Sequence, residues 1–83
     1  MYKTDSLPLA SYLYSKKDLT FKGVNKDNPN RIAFLFDPLE KAQTYTDEYY
    51  GGTGIVNPLE LFKNYSSLKD LVFEVKRNSA NNK

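Results

Sequence analysis

Proton transfer and nucleophilic attack near neutral pH ordinarily rest on His and Cys, and this chain contains neither. Carboxylates, lysines, tyrosines and serines remain, and their spacing gathers none of them into a catalytic set. Asp47 and Glu48 are adjacent, but sequence neighbours on a helix splay apart instead of converging, so they read as a solvated face. Asn25, Asp27, Asn28 and Asn30 place oxygen atoms at a spacing like that of a calcium loop. Pro29 interrupts them and the downstream Glu of such a loop is missing, so they read as turn formers at a hairpin tip. Gly51-Gly52-Thr53-Gly54 is the one glycine-rich stretch. It follows a helix instead of joining a strand to a helix, and no Lys-Ser or Lys-Thr pair succeeds it, so it is no phosphate loop. Zinc held by Cys or His is excluded by composition. The expectation is a non-enzymatic chain with no cofactor and no metal.

Binding chemistry is better represented. Between residues 16 and 31, Lys16, Lys17, Lys22, Lys26 and Arg31 face only Asp18 and Asp27. Between residues 37 and 48, Asp37, Glu40, Asp47 and Glu48 face only Lys41. A basic segment therefore precedes an acidic one. Lys17, Lys22, Lys26 and Arg31 are candidate phosphate contacts, since a basic sheet surface with aromatic rings can bind single-stranded nucleic acid. The competing reading is that these charges solubilise a hairpin and discourage edge pairing. It is preferred, because five cations are a small footprint for a nucleic-acid binder. Tyr50 is the other candidate: beside Gly51-Gly52 and off the apolar face that Tyr49 fits, it is either a contact residue or a cover for the helix end.

These residues must be carried by a very small scaffold. At 83 residues the chain is one domain, of a size that buries about 60% of the surface exposed by its unfolded form. Without Cys or His, neither disulfides nor zinc can reinforce it, which leaves efficient packing or self-association. Seven Tyr and five Phe supply large rings for that packing. Net charge is +2, too little to demand a polyanion. No apolar run approaches the ~20 residues of a membrane span, and the first residues lack the apolar stretch of a secretory signal, so a cytoplasmic location with no membrane is expected.

The elements follow from capping and periodicity. Asp5 and Ser6 are N-caps, Pro8 suits a first turn, and Leu9, Ala10, Leu13 and Tyr14 repeat at helical spacing, predicting a helix over Leu7–Ser15. Thr20–Asn25 reads as a strand in which a bulge at Gly23 would bring Phe21 and Val24 to one face. A turn cluster follows to Asn30. Arg31–Phe36 is the clearest strand, with Ile32, Phe34 and Phe36 on one side and Arg31, Ala33 and Leu35 on the other. Asp37-Pro38 and Asn57-Pro58 both look like an N-cap followed by a first-turn proline. The first opens a helix with Leu39, Ala42, Tyr45, Thr46 and Tyr49 inward, stopped by Gly51-Gly52. Gly54–Val56 could add a third strand. From Pro58 the pattern allows two helices, the first with Leu59 and Phe62 inward and the second with Leu68, Leu71, Val72 and Val75, or one unbroken helix. The predicted class is α+β: a small two-layer domain over residues 1–77, of order α-β-β-α-(β)-α-α, with an antiparallel hairpin covered on one face by helices. Residues 78–83 form an expected disordered polar tail.

Three segments resemble the uncharacterised small family of bacteria and phages catalogued as domain of unknown function 5659. They are Thr4-Asp-Ser-Leu-Pro-Leu-Ala-Ser-Tyr-Leu13, Ile32-Ala-Phe-Leu-Phe36 with its following acid, and the run of Tyr49-Tyr50-Gly-Gly52, Val56-Asn-Pro-Leu-Glu-Leu-Phe62 and Leu68-Lys-Asp-Leu71. The chain departs from the family after the first helix, where Lys16-Lys17-Asp18 stands in place of the usual Gly. The resemblance implies a standalone domain of a phage or mobile element and carries over no site residue. The functional expectation is a non-enzymatic interaction domain that binds a protein partner or itself as a homodimer. The alternative is a nucleic-acid accessory domain using the basic hairpin.

Overall fold

The computed structural model describes residues 1–28 and 30–81, apart from the side chains of 78–81. Its elements are β1 (Tyr2–Thr4), α1 (Leu7–Tyr14), β2 (Thr20–Asn28), β3 (Arg31–Asp37), α2 (Leu39–Gly51) and α3 (Pro58–Asn81). The α+β class stands. The order is corrected to β-α-β-β-α-α.

β3 is the middle strand of an antiparallel sheet ordered β1-β3-β2. The third strand is the N-terminal Tyr2–Thr4, with Tyr2 opposite Phe36 and Thr4 opposite Phe34, and Gly54–Val56 is not in a strand. The β2–β3 pairing shifts register between Phe21 and Gly23. Gly23 has φ 102°, a conformation that favours glycine, so the bulge falls where the sequence placed it. Phe21 and Val24 both pack against the core in consequence. At the tip, β2 runs three residues further than expected, and Asn28 pairs with Arg31. The Asn25 and Asn28 side chains accept hydrogen bonds from the backbone N–H groups of Asp27 and Asn30, an Asx-turn use of these oxygens.

Ile32, Phe34 and Phe36 are all buried, under helices that cover one face of the sheet. α1 opens with the Ser6 side chain accepting from the Leu9 N–H. It is not the one-faced helix that periodicity suggests. Leu9, Ala10, Ser11, Tyr12 and Leu13 are consecutive and all buried, because α1 meets α2 and α3 as well as the sheet. Tyr14, expected inward, is half exposed and stands edge-on to Phe21. Small residues are among those buried on these helices: Ala10 and Ser11 on α1, Ala42 and Thr46 on α2. The Ser11 and Thr46 hydroxyls return to carbonyls of their own helices, Leu7 and Ala42, at 2.8 Å each, so burying them leaves no orphan donor. Among the described residues, Tyr12 has the one buried side-chain polar atom without a partner.

The two Asp/Asn-Pro signals behave differently. Asn57 caps α3, its Oδ1 accepting from the Leu59 and Glu60 N–H groups at 2.9 and 3.2 Å. Asp37 does not cap α2. It is the last residue of β3, opposite Thr20, and Pro38 takes the cap position with no side-chain hydrogen bond. α3 is one unbroken helix of 24 residues, ~36 Å long at 1.5 Å per residue. Its last four residues extend into the segment expected to be an irregular tail, and Asn82 and Lys83 lie outside the described residues.

Candidate interaction surfaces

The five residues singled out from the sequence do not form one site. All are exposed. Lys17 sits in the loop after α1. Lys22 lies in the β2 bulge, next to Gly23, which pairs with Leu35. Arg31 lies at the other end of β3, four residues from Leu35, or ~13 Å along a strand. Lys26 falls within the second irregularity of β2, between Asn25 and Asn28. Arg31 is also engaged, 3.5 Å from the Asp5 carboxylate.

The uncovered sheet face holds a shallow concavity of about 400 Å³, lined in part by Lys3, Arg31, Asp5 and Asp27. Two cations there meet two carboxylates, so it is not a basic ribbon. Nor does it offer stacking platforms. Tyr2 and Phe21 are both paired with Phe36 across the sheet, and with Phe34 they pack into the core on the helix side. Cross-strand partners share a face, so among the described residues the sheet strands present no ring on their open side.

Tyr50 is 69% exposed while Tyr49 packs on the core, their rings edge-on at 5.2 Å. Tyr49 also meets the buried Tyr12 ring at 5.3 Å. Lys16 covers this corner: its Nζ lies 4.5 Å from the Tyr12 ring centre and 5.1 Å from that of Tyr45, and donates to the Ile55 carbonyl at 2.9 Å. The cation–π and hydrogen-bond contacts together pin the α2–α3 connection to α1. Nearby, Tyr45 donates to Asp18, which also pairs with Lys41 at 3.7 Å. The Tyr45 hydrogen bond holds the Asp18 carboxyl below the usual carboxylate range, and the same bond holds the Tyr45 phenol above its own. Among the described residues no three carboxylates gather closely enough to hold a metal, and no helix is long and apolar enough to cross a membrane.

The surface that stands out is α3, through residues the sequence reading placed wrongly or did not single out. Leu59 and Phe62, expected inward, are 76% and 71% exposed, and Phe73 is 63% exposed. At 100° per residue, Leu59 lies about 180° from the buried Leu68, and Phe62 and Phe73 about 120° to 140° from it. Phe62 and Phe73 are eleven residues apart in sequence, three turns to within about 20°, so they share a stripe. Helical phase, carried backward from Leu68 across an unbroken helix, turns Leu59 and Phe62 outward. The two-helix alternative resets that phase and hides those two, whereas Phe73 lies off the Leu68, Leu71, Val72 and Val75 face in either case.

A scan against protein-family models, a search of curated proteins and a search of solved structures each give no match.

Proposed function

We propose that this chain is a small non-enzymatic protein-interaction domain that associates, with a second copy of itself in the first instance, through the outward face of α3. Leu59, Phe62 and Phe73 carry the reading. Single exposed apolar residues are ordinary, but three large ones on one side of one helix, in a chain this short, are what an interaction surface offers. Aromatic anchors of this kind dominate protein interfaces. A cytoplasmic, phage or mobile-element setting fits a Cys-free chain and belongs to the same proposal. The nucleic-acid alternative receives less support, since the sheet's rings point inward and its open concavity balances cations with carboxylates.

Sedimentation equilibrium over a concentration series decides the matter. Association that weakens at least tenfold in Leu59→Ser/Phe62→Ser, with circular dichroism unchanged, supports the reading. A wild-type chain that stays monomeric up to millimolar concentration removes its self-associating form.

A further inference from the structure

A groove runs between the start of β3 and the C-terminal half of α3, with a volume of about 280 Å³. Its floor is apolar: Leu7, Ile32, Phe34 and Val72 line it, and the exposed Phe73 ring stands at its side. Its border is cationic. Lys69 and Lys76 come from the same flank of α3, two turns apart, and Arg31 lies opposite. The one carboxylate lining it is Asp5, already paired with Arg31. Neither lysine has an ion-pair partner among the described residues.

We infer that this groove binds an acidic peptide segment that carries apolar side chains. The two halves of the groove ask for different chemistry, and one ligand class supplies both. The floor favours aliphatic or aromatic side chains, which lose water on docking. The lysines favour carboxylates, and they flank the floor where a bound chain's polar groups would emerge. The spacing suits an extended peptide. Seven residue steps along α3 take Lys69 to Lys76, ~10.5 Å. Carboxylates four residues apart on an extended segment are ~13 Å apart, a difference that flexible lysine stems close. In such a segment the first and third intervening side chains point to the other face, toward the floor. A nucleic acid would meet the lysines but leave the floor unfilled. A neutral apolar peptide would fill the floor but leave the lysines unused. The inference names a partner chemistry within the interaction reading; Phe73 borders both surfaces, while Lys69, Lys76 and the apolar floor belong to the groove alone.

The test uses three fluorescein-labelled seven-residue probes: Glu-Leu-Glu-Phe-Glu-Leu-Glu, its all-Gln counterpart in place of Glu, and heptaglutamate. Fluorescence anisotropy is recorded with wild type and with Lys69→Glu/Lys76→Glu, whose substitutions are on exposed side chains. Micromolar binding of the first probe is expected, weaker by at least tenfold for each of the other two and for the double variant, and weakened by salt. Phe73→Ser should weaken it several-fold. The inference is overturned if the first probe fails to bind at millimolar protein, if the double variant binds it equally, or if an oligonucleotide or an anionic vesicle binds through the two lysines more tightly than the peptide. Leu59→Ser/Phe62→Ser, at residues that do not line the groove, should bind the first probe like wild type, so loss of peptide binding and loss of self-association are read separately.

Discussion

The Tyr45 hydroxyl lies 2.7 and 2.8 Å from the two carboxylate oxygens of Asp18, sharing one proton between them. The contact ties the loop after α1 to the middle of α2 across 27 residues of sequence. Its pH dependence has a defined sign. Asp18 is depressed in the folded chain, so its contribution is present above the ordinary carboxylate value and is lost as pH falls through the lower folded value. Tyr45 is raised, so its contribution is present below the ordinary phenol value and is lost as pH rises through the higher folded value. In Tyr45→Phe the Asp18 carboxyl should titrate closer to the ordinary value, followed by carboxyl NMR. An unmoved titration would show that the hydroxyl does not set the carboxylate's charge. The stability effect should be small, because both groups face water.

Gly54 lies against the Tyr12 ring, and a Cβ there would come 2.7 Å from Tyr12 Cζ and closer still to the hydroxyl. Gly54→Ala should therefore cost about 1–3 kcal/mol by overpacking, measured by urea denaturation. Tyr12→Phe removes both the nearest clashing atom and a buried hydroxyl without a partner, so alone it should be neutral or stabilising by up to about 1 kcal/mol. Combined, the two should cost less than their sum. Strict additivity would mean that the loop simply moves aside.

Helical phase on α3 makes a paired prediction. Leu68 is buried and Phe62 is exposed. Leu68→Ala should cost about 2–5 kcal/mol, whereas Phe62→Ser should stay within about 0.5 kcal/mol for the monomer. Equal costs in a thermal melt would contradict the unbroken helix.

Asn57 and Asp37 look alike in sequence and differ in use. Asn57→Ala should lose about 1 kcal/mol through the missing cap. Asp37→Ala should lose less at its helix, since no side-chain bond joins Asp37 or Pro38 to the start of α2. Chemical denaturation of the two variants side by side is the check.

Much of the scaffold was legible because it depends on local chemistry. The Ser6 and Asn57 caps, the Gly23 bulge and the alternation of Ile32, Phe34 and Phe36 are each written within a few neighbouring residues. What was missed depends on partners distant in sequence. Tyr2–Thr4 is too short for a period-two signal and becomes a strand only because β3 offers it an edge. Ser11 and Tyr12 look like the polar side of a helix until α2 and α3 enclose it. The surface was less legible than the core. Lys22 and Arg31 are on neighbouring strands, as expected, but register separates them along the sheet. The outward turn of Leu59 and Phe62 was hidden by a break that the helix does not have.

The place of β1 in the sheet shapes how the chain can assemble. β3 waits for an edge strand made some thirty residues earlier, beyond a helix and a hairpin strand. Tyr2 meets Phe36 only after the intervening chain has closed a long loop, and closing such loops costs entropy before the contact rewards it. The β2–β3 hairpin needs no such wait. The sheet therefore has a half paired locally and a half paired across a long stretch of chain, and proteins rich in distant pairings fold more slowly than those built from local ones. Until β1 docks, one side of β3 is an open edge, and open edges recruit other chains. Three residues at the start of the chain therefore close one edge of the sheet's central strand.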